Sequence, residues 1–123
     1  MTREKKNKGA WGEDRAAEFL ASQGYRLLER NYRCPLGEMD IIAREGKTVV
    51  FVEVKTRSSE RFGPPHAAIG PQKQRRMTAI ALYYLKGKGW LGAPARFDVA
   101  AVSLHEGRET VTLYRNAFDA TGF

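Results

Sequence analysis

The stretch FVEVKTR, residues 51–57, places two charged side chains in a strongly apolar run. Glu53 and Lys55 are two positions apart and follow VVFV, a pattern typical of a buried strand. Because side chains in a strand alternate between its two faces, both charges lie on the same face. A carboxylate beside an ammonium group can form a structural salt bridge or serve a site that binds a cation, and the spacing alone leaves both alternatives open.

Two further acids, Glu38 and Asp40, lie in the preceding predicted strand. The dipeptide EG at residues 45–46 follows that strand. If EG is a two-residue turn, Glu38 lies directly opposite Glu53 and Asp40 lies diagonal to it on the same face. Opposed acids destabilise a sheet unless a cation neutralises them, and Mg²⁺ prefers carboxylate, water and phosphate oxygens. The pattern therefore predicts either a divalent ion near Asp40 and Glu53 or a salt bridge with Lys55. An odd-numbered loop or a bulge would place Asp40 on the other face.

A fourth acid, Glu13, lies in the first predicted helix. At about 100° per residue, it falls inside the apolar stripe that contains Ala17 and Leu20. A carboxylate buried there needs a cation, hydrogen-bond donors or a water-filled cleft. The alternative is an acid near the start of the helix, stabilised by the macrodipole or by water at the edge of the stripe.

The elements that must position these side chains follow the order α-β-β-β-α-β-β. We expect one α/β domain over residues 1–123, with a central mixed sheet flanked by helices and a flexible basic N-terminus at residues 1–8. The predicted helices span residues 9–23 and 71–86, ended by Gly24 and Gly87, and the predicted strands span residues 25–29, 38–43, 48–56, 96–103 and 110–115. Turns at REGK and HEGR predict antiparallel neighbours, while the second helix allows a parallel return. Residues 58–71 are expected to form a long surface loop.

Composition favours a polyanionic partner. The net charge is +7, with basic clusters at REKKNK and KQRR, although a solvated basic face gives the same composition. The single cysteine, Cys34, excludes an internal disulfide and cysteine-rich zinc sites. No segment reaches the roughly 18 uninterrupted apolar residues of a membrane helix, and no apolar core of a signal peptide follows the basic start. We therefore expect a cytoplasmic protein with no membrane partner.

The acids and the lysine also form a recognisable motif. Asp40, followed after twelve intervening residues by Glu53-Val54-Lys55, resembles the core of the PD-(D/E)-x-K nucleases, with Met39 in place of proline. The ordered blocks GAWGEDRAAEFL, NYRCPLGEMDIIA, VVFVEVKTRSS, KQRRM and RFDVAAV resemble the YraN-type bacterial family, which is similar to archaeal Holliday junction resolvases. The resemblance spans nearly the whole chain and implies a restriction-endonuclease-like fold.

The resemblance implies a catalytic set of Glu13, Asp40, Glu53 and Lys55. In such nucleases the equivalents of Asp40 and Glu53 hold Mg²⁺ (or Mn²⁺), the equivalent of Glu13 completes the metal site, and the equivalent of Lys55 orients or activates water. The implied activity is metal-dependent hydrolysis of DNA phosphodiester bonds, with branched or junction DNA suggested by analogy. The alternatives are a non-catalytic nucleic-acid-binding or accessory protein and a protein-interaction adaptor.

Other residues carry weaker expectations. Cleavage of both strands of a symmetric junction would require a homodimer, although no sequence feature identifies its interface. Asp98 is expected to have a structural role beside Arg96, and Tyr83, Tyr84 and Leu85 are expected in the core. The basic residues predicted to contact the nucleic-acid backbone, with a solvated basic face as the alternative, are Arg57, Lys73, Arg75 and Arg76.

Overall fold

The computed structural model describes residues 2–57 and 69–120, with side chains described from residue 9 onwards within these ranges. The elements are α1 (Thr2–Ser22), β1 (Arg26–Cys34), β2 (Gly37–Glu45), β3 (Thr48–Arg57), α2 (Pro71–Lys88), β4 (Ala95–His105) and β5 (Arg108–Phe118). This order confirms the predicted α-β-β-β-α-β-β arrangement. The predicted loop falls mainly on residues 58–68, outside the described residues.

All five strands form one sheet in the order β1-β2-β3-β4-β5. β3 and β4 run parallel and are connected through α2, whereas the other neighbouring strands are antiparallel. The sheet is therefore mixed and flanked by two helices, as predicted.

The VVFV run forms the centre of this sheet. Val50 and Val52 pack on the face that α1 covers, whereas Val49 and Phe51 pack on the face that α2 covers. Because β3 is covered on both faces, its apolar residues are consecutive instead of alternating. The two charged residues that follow in β3 consequently lie where this double cover ends.

The first helix is longer than predicted. It begins at Thr2, so the predicted start at residue 9 is wrong. Lysine, arginine and glutamate are good helix formers, and no proline interrupts the basic segment, so local propensity supports the additional turns. The expected flexibility of residues 1–8 stays a prediction.

The second helix also extends beyond its predicted end. It passes through Gly87 and ends at Lys88, and Gly89 adopts the left-handed conformation with φ 75°. The backbone N–H of Gly89 donates to carbonyl groups of the last turn, so Gly89 is the true C-terminal glycine. The prediction for Gly87 is wrong because two glycines lie close together and only the second takes this conformation.

α2 buries one stripe of side chains against the sheet. Tyr84 and Leu85 lie in this stripe, as predicted, and the Tyr84 ring contacts Phe51 edge-on at 6.0 Å between ring centroids. The expectation for Tyr83 is wrong, because its side chain points away from the stripe and is 47% exposed. No helix in residues 2–57 or 69–120 is long and apolar enough to cross a membrane.

The β2–β3 turn lies one residue later than predicted. Glu45 pairs with Thr48, so Gly46 and Lys47 form the turn. Gly46 has φ 59°, and glycine adopts this left-handed conformation without the strain that a side chain would add. The whole ladder is consequently shifted by two residues relative to the predicted pairing.

The structure confirms the predicted structural role of Asp98. Asp98 is fully buried in β4 and accepts hydrogen bonds from the Tyr25 hydroxyl at 3.2 Å and from Arg96 Nε at 3.0 Å. The backbone N–H of Asn116 donates a third hydrogen bond at 2.9 Å. The buried charge is thus paired and hydrogen-bonded inside the fold.

Candidate active site

The carboxyl groups of Asp40 and Glu53 meet where the β2–β3 ladder ends. Its last pair is Ile41 with Val52, so Asp40 and Glu53 occupy the next position of each strand. Their side chains form a hydrogen bond with each other. The backbone N–H of Val54 donates a second hydrogen bond to Asp40 Oδ2 at 2.8 Å. Two acids from neighbouring strands therefore share one position at the edge of the core.

The predicted pairing within this hairpin is wrong in detail. Asp40 is in contact with Glu53 instead of diagonal to it, and Glu38 pairs with Arg33 of β1. The Arg33 and Glu38 side chains form an ion pair at 3.6 Å, and both are exposed. The register differs from the predicted pairing by two residues, which brings Asp40 beside Glu53 just beyond the last pair of the ladder.

The two acids titrate in opposite directions. Burial raises the pKa of Asp40, and the hydrogen bond and negative charge of Glu53 raise it further, to about 8; the Glu13 carboxylate adds a smaller effect in the same direction. Burial also raises the pKa of Glu53, but the hydrogen bond from Asp40 and two nearby ammonium groups outweigh burial and lower it. At neutral pH a protonated Asp40 therefore donates its hydrogen bond to an ionised Glu53.

Two lysines face the Glu53 carboxylate. Lys73 of α2 forms an ion pair with Glu53 Oε2, and Lys55 Nζ lies 4.0 Å from the same oxygen. Glu53 Oε2 is buried, and the Lys73 ammonium group is its nearest cation among the described residues. The contact between Lys73 and Glu53 was not predicted from the sequence, which left a phosphate contact or a solvated basic face as the alternatives for Lys73.

Glu13 approaches from α1 and is held by Asn31 of β1. With the Asn31 amide turned so that its nitrogen faces the carboxylate, this nitrogen donates to both Glu13 oxygens, at 3.2 and 3.0 Å. Asn31 has φ 52°, a left-handed conformation that asparagine tolerates better than most residues. Sequence reasoning missed this residue, and its only signal was an asparagine within a strand-like pattern.

Close packing of α1 on β3 brings Glu13 towards the site. A Cβ atom added to Gly12 would lie 2.0 Å from Thr56 Oγ1, which is an impossible contact. Glycine at this position therefore permits the close approach of the helix to the strand. Glu13 nevertheless stays outside a tight cluster, since no group of three or more histidine, cysteine, aspartate or glutamate side chains in the described part of the chain is arranged to hold a metal ion.

The remaining predicted basic residues lie at the end of β3 and at the start of α2. Arg57 is half-buried at the end of β3, while Arg75 and Arg76 are exposed on the first turns of α2. The Arg76 side chain lies over Gly37, where an added Cβ would be 3.4 Å from Arg76 Cδ. Their contact with nucleic acid stays a prediction.

Comparison with known proteins identifies one family. The family described as "Uncharacterised protein family UPF0102" matches residues 12–102. A UPF0102 protein of Syntrophus aciditrophicus is 51% identical over 111 residues, which cover 90% of this chain and 87% of that protein. A UPF0102 protein of Desulfosudis oleivorans is 49% identical over 121 residues, which cover 98% and 96%.

One solved structure shows a more distant similarity. The structure of Pyrococcus furiosus SfsA in complex with Ca²⁺ aligns with a TM-score of 0.43 and 17% sequence identity. The alignment covers 90% of this chain and 63% of that chain. A similarity at this level carries no conclusion about the site.

Proposed function

The chain belongs to the UPF0102 family, the YraN-type family that its sequence blocks resemble, and we propose that it is a divalent-metal-dependent nuclease that hydrolyses DNA phosphodiester bonds. The observation that carries the proposal is the contact between the carboxyl groups of Asp40 and Glu53 beside two lysine ammonium groups. Asp40, Glu53 and Lys55 are the residues of the Asp…Glu-x-Lys motif, and Lys73 lies outside it. Residues that the sequence separates are brought to one position by the β2–β3 hairpin.

The donor set of this carboxyl pair fits Mg²⁺ or Mn²⁺. Asp40 keeps its proton to an unusually high pH because it is buried beside the Glu53 carboxylate, whose Oε2 is paired with the Lys73 ammonium group. A divalent cation in place of that proton would neutralise both acids. Mg²⁺ is commonly bound by one or two protein carboxylates, with water and phosphate oxygens as the other ligands, so two acids suffice. Glu13 is the candidate for an additional ligand.

Each side chain has a separate proposed role. When bound, the ion would lower the pKa of a water molecule and offset negative charge on the phosphate. Lys55 would orient the attacking water and donate to a phosphate oxygen, because it lies on the same strand face as Glu53 and is partly exposed. Arg57, Arg75 and Arg76 would hold the DNA backbone.

Branched or junction DNA is the substrate class to test first. It is supported by the resemblance to archaeal Holliday junction resolvases, which is an analogy and not a property of this site. Cleavage of both strands of a symmetric junction requires two active sites, so this version of the proposal includes a homodimer.

A second candidate is a non-catalytic nucleic-acid-binding or accessory protein. It is favoured by the ion pairs that already neutralise Glu53 and by the lack of a three-ligand metal group within the described residues. In this version the acids and lysines form a structural salt bridge. DNA binding would then survive Asp40→Ala, and no turnover would occur.

The test is a Mg²⁺ titration over duplex, nicked, flap, single-stranded and four-way DNA. The wild-type protein is compared with Asp40→Ala and Lys55→Ala, all purified identically so that a contaminating nuclease would appear in each preparation. The nuclease proposal expects Mg²⁺-dependent cleavage by the wild type, reduced by about 100-fold or more in each variant. Binding of DNA without cleavage, unchanged by Asp40→Ala, would support the second candidate instead.

A further inference from the structure

The ion pair between Lys73 and Glu53 joins a flexible cation to a fixed carboxylate. Lys73 is the third residue of α2, and its side chain is 41% exposed, whereas the Glu53 side chain is 10% exposed. The strand holds Glu53 in place, while the lysine stem can rotate towards solvent. The two partners can therefore separate without disturbing the sheet.

Helix stability does not account for a lysine at this position. The N-terminus of a helix carries a partial positive charge, which disfavours a cation in the first turn. α2 has no acidic residue in its first turn, and the N-cap residue Gly70 makes no side-chain capping hydrogen bond. Among the described ion pairs, Lys73 is compensated only by Glu53. A lysine at position 73 is thus unfavourable for the helix and is compensated by its ion pair with Glu53.

A metal ion bound by Glu53 would share this carboxylate with two ammonium groups. Glu53 Oε2 receives the Lys73 ammonium group, and Lys55 is already 4.0 Å away. A divalent ion bound to this carboxylate would be repelled by an ammonium group held at the same oxygen, and the repulsion is strong because the site is poorly solvated. Lys73 pairing and metal binding therefore compete at Glu53.

We propose that Lys73 is an intramolecular competitor for the divalent ion, occupying the Glu53 carboxylate in the metal-free protein and leaving it when an ion binds. This inference rests on the metal site of the proposed function and adds its regulation. Once released, the ammonium group lies beside the site and is available to a phosphate of bound DNA. DNA would then strengthen metal binding, because it gives Lys73 a different partner, and metal would strengthen DNA binding by the same factor.

Metal affinity in the absence of DNA tests the competition directly. Mn²⁺ is titrated into the full chain and followed by calorimetry and by electron paramagnetic resonance of the free ion. Lys73→Gln is expected to bind Mn²⁺ about five- to tenfold more tightly than the wild type, as expected from removal of a half-exposed competing ion pair. Lys73→Met keeps most of the aliphatic stem and serves as a second neutral variant if Lys73→Gln folds poorly.

Two controls separate competition from general electrostatics. Arg75→Gln removes one positive charge from the same helix turn without touching Glu53, and its Mn²⁺ affinity should stay within about twofold of the wild type. Lys73→Arg keeps a cation that can pair with Glu53 and should retain the weaker wild-type affinity. With Mn²⁺ present, the neutral Lys73 variants should bind DNA more weakly than the wild type, because they lack the ammonium group that would contact a phosphate.

The inference is overturned if the neutral Lys73 variants bind Mn²⁺ no more tightly than the wild type, if Arg75→Gln tightens binding equally, or if no variant binds Mn²⁺. Its failure is distinguishable from that of the proposed function. Tighter Mn²⁺ binding without any DNA cleavage would support the competition and reject the nuclease. Metal-dependent cleavage with unchanged Mn²⁺ affinities would reject the competition alone.

Discussion

The carboxyl group of Asp40 is hydrogen-bonded to the carboxylate of Glu53 at the open end of the β2–β3 ladder. The proton that joins them persists to a pH of about 8, because burial and two neighbouring acids disfavour a second negative charge. This proton and the Lys73 ammonium group neutralise the site. A divalent ion would have to replace both.

Metal binding is expected to release a proton at neutral pH, because Asp40 must ionise before it can be a ligand. The apparent affinity for Mg²⁺ should rise with pH by up to about tenfold per unit until Asp40 is ionised, near pH about 8. Calorimetry in two buffers of different ionisation enthalpy measures the released proton. Asp40→Asn should lose both the binding and the proton release. Wild-type binding without proton release at neutral pH would contradict this prediction.

The same proton makes the stability of the metal-free protein depend on pH. The pKa of Asp40 is raised from its ordinary value of 3.8 to about 8, so between these values the native state holds a proton that the unfolded chain does not. The contribution is complete below the ordinary pKa and is lost as the pH rises through about 8. In Asp40→Asn, which cannot ionise, this loss should be absent, which gives a relative gain on the order of 1–3 kcal/mol at alkaline pH.

Thermal unfolding in a chelator, over a pH series, measures that difference. Wild-type and Asp40→Asn curves share the titrating groups outside the Asp40–Glu53 pair, so their difference reports the titration of this pair. Two curves that stay parallel from acidic to alkaline pH would show that Asp40 ionises normally.

The Asn31 amide is expected to position the Glu13 carboxylate and to contribute little to the stability of the fold. Asn31→Gly keeps the φ of 52° at no steric cost and removes the donor, so metal affinity should fall by about tenfold or more while the free energy of unfolding changes by less than about 1 kcal/mol. Asn31→Ala should show the same affinity loss and an additional destabilisation of about 1 kcal/mol from backbone strain. If both variants bind Mn²⁺ as tightly as the wild type, the proposed role of Glu13 as a metal ligand is contradicted.

Asp98 is expected to matter for stability alone. Asp98→Ala leaves the buried Arg96 and Tyr25 groups without their shared acceptor, so we expect a loss of about 3–5 kcal/mol in the free energy of unfolding. Glu18→Ala breaks an exposed ion pair with Arg15 at 2.8 Å and should cost less than about 1 kcal/mol. Chemical denaturation of the two variants measures both values, and equal costs would contradict the distinction.

Much of the fold follows from local sequence patterns. The VVFV run predicted a buried strand, and the turns at REGK and HEGR with the connection through the second helix predicted a mixed sheet. The turn before this strand was misplaced by one residue, since REGK allows Gly46 at either central position of a two-residue turn. The structure places Gly46 first, with φ 59°. Such a choice depends on which register packs better across the whole hairpin.

The site was only partly predictable. The spacing along two strands predicted that Asp40 and Glu53 meet, although the predicted pairing was wrong by two residues. The contact between Lys73 and Glu53 depends on how α2 packs on the sheet, and no local pattern encodes that orientation. Asn31 adopts a left-handed conformation inside a strand, which alternation of side chains cannot reveal.

Anomalous diffraction from crystals of the full chain soaked in Mn²⁺ tests the proposed metal site most directly. We predict one peak within coordination distance of a carboxylate oxygen of Asp40 and of Glu53, with the Lys73 ammonium group turned away from Glu53. Crystals at saturating Mn²⁺ with no peak between these two acids, and with Lys73 still paired to Glu53, would contradict it.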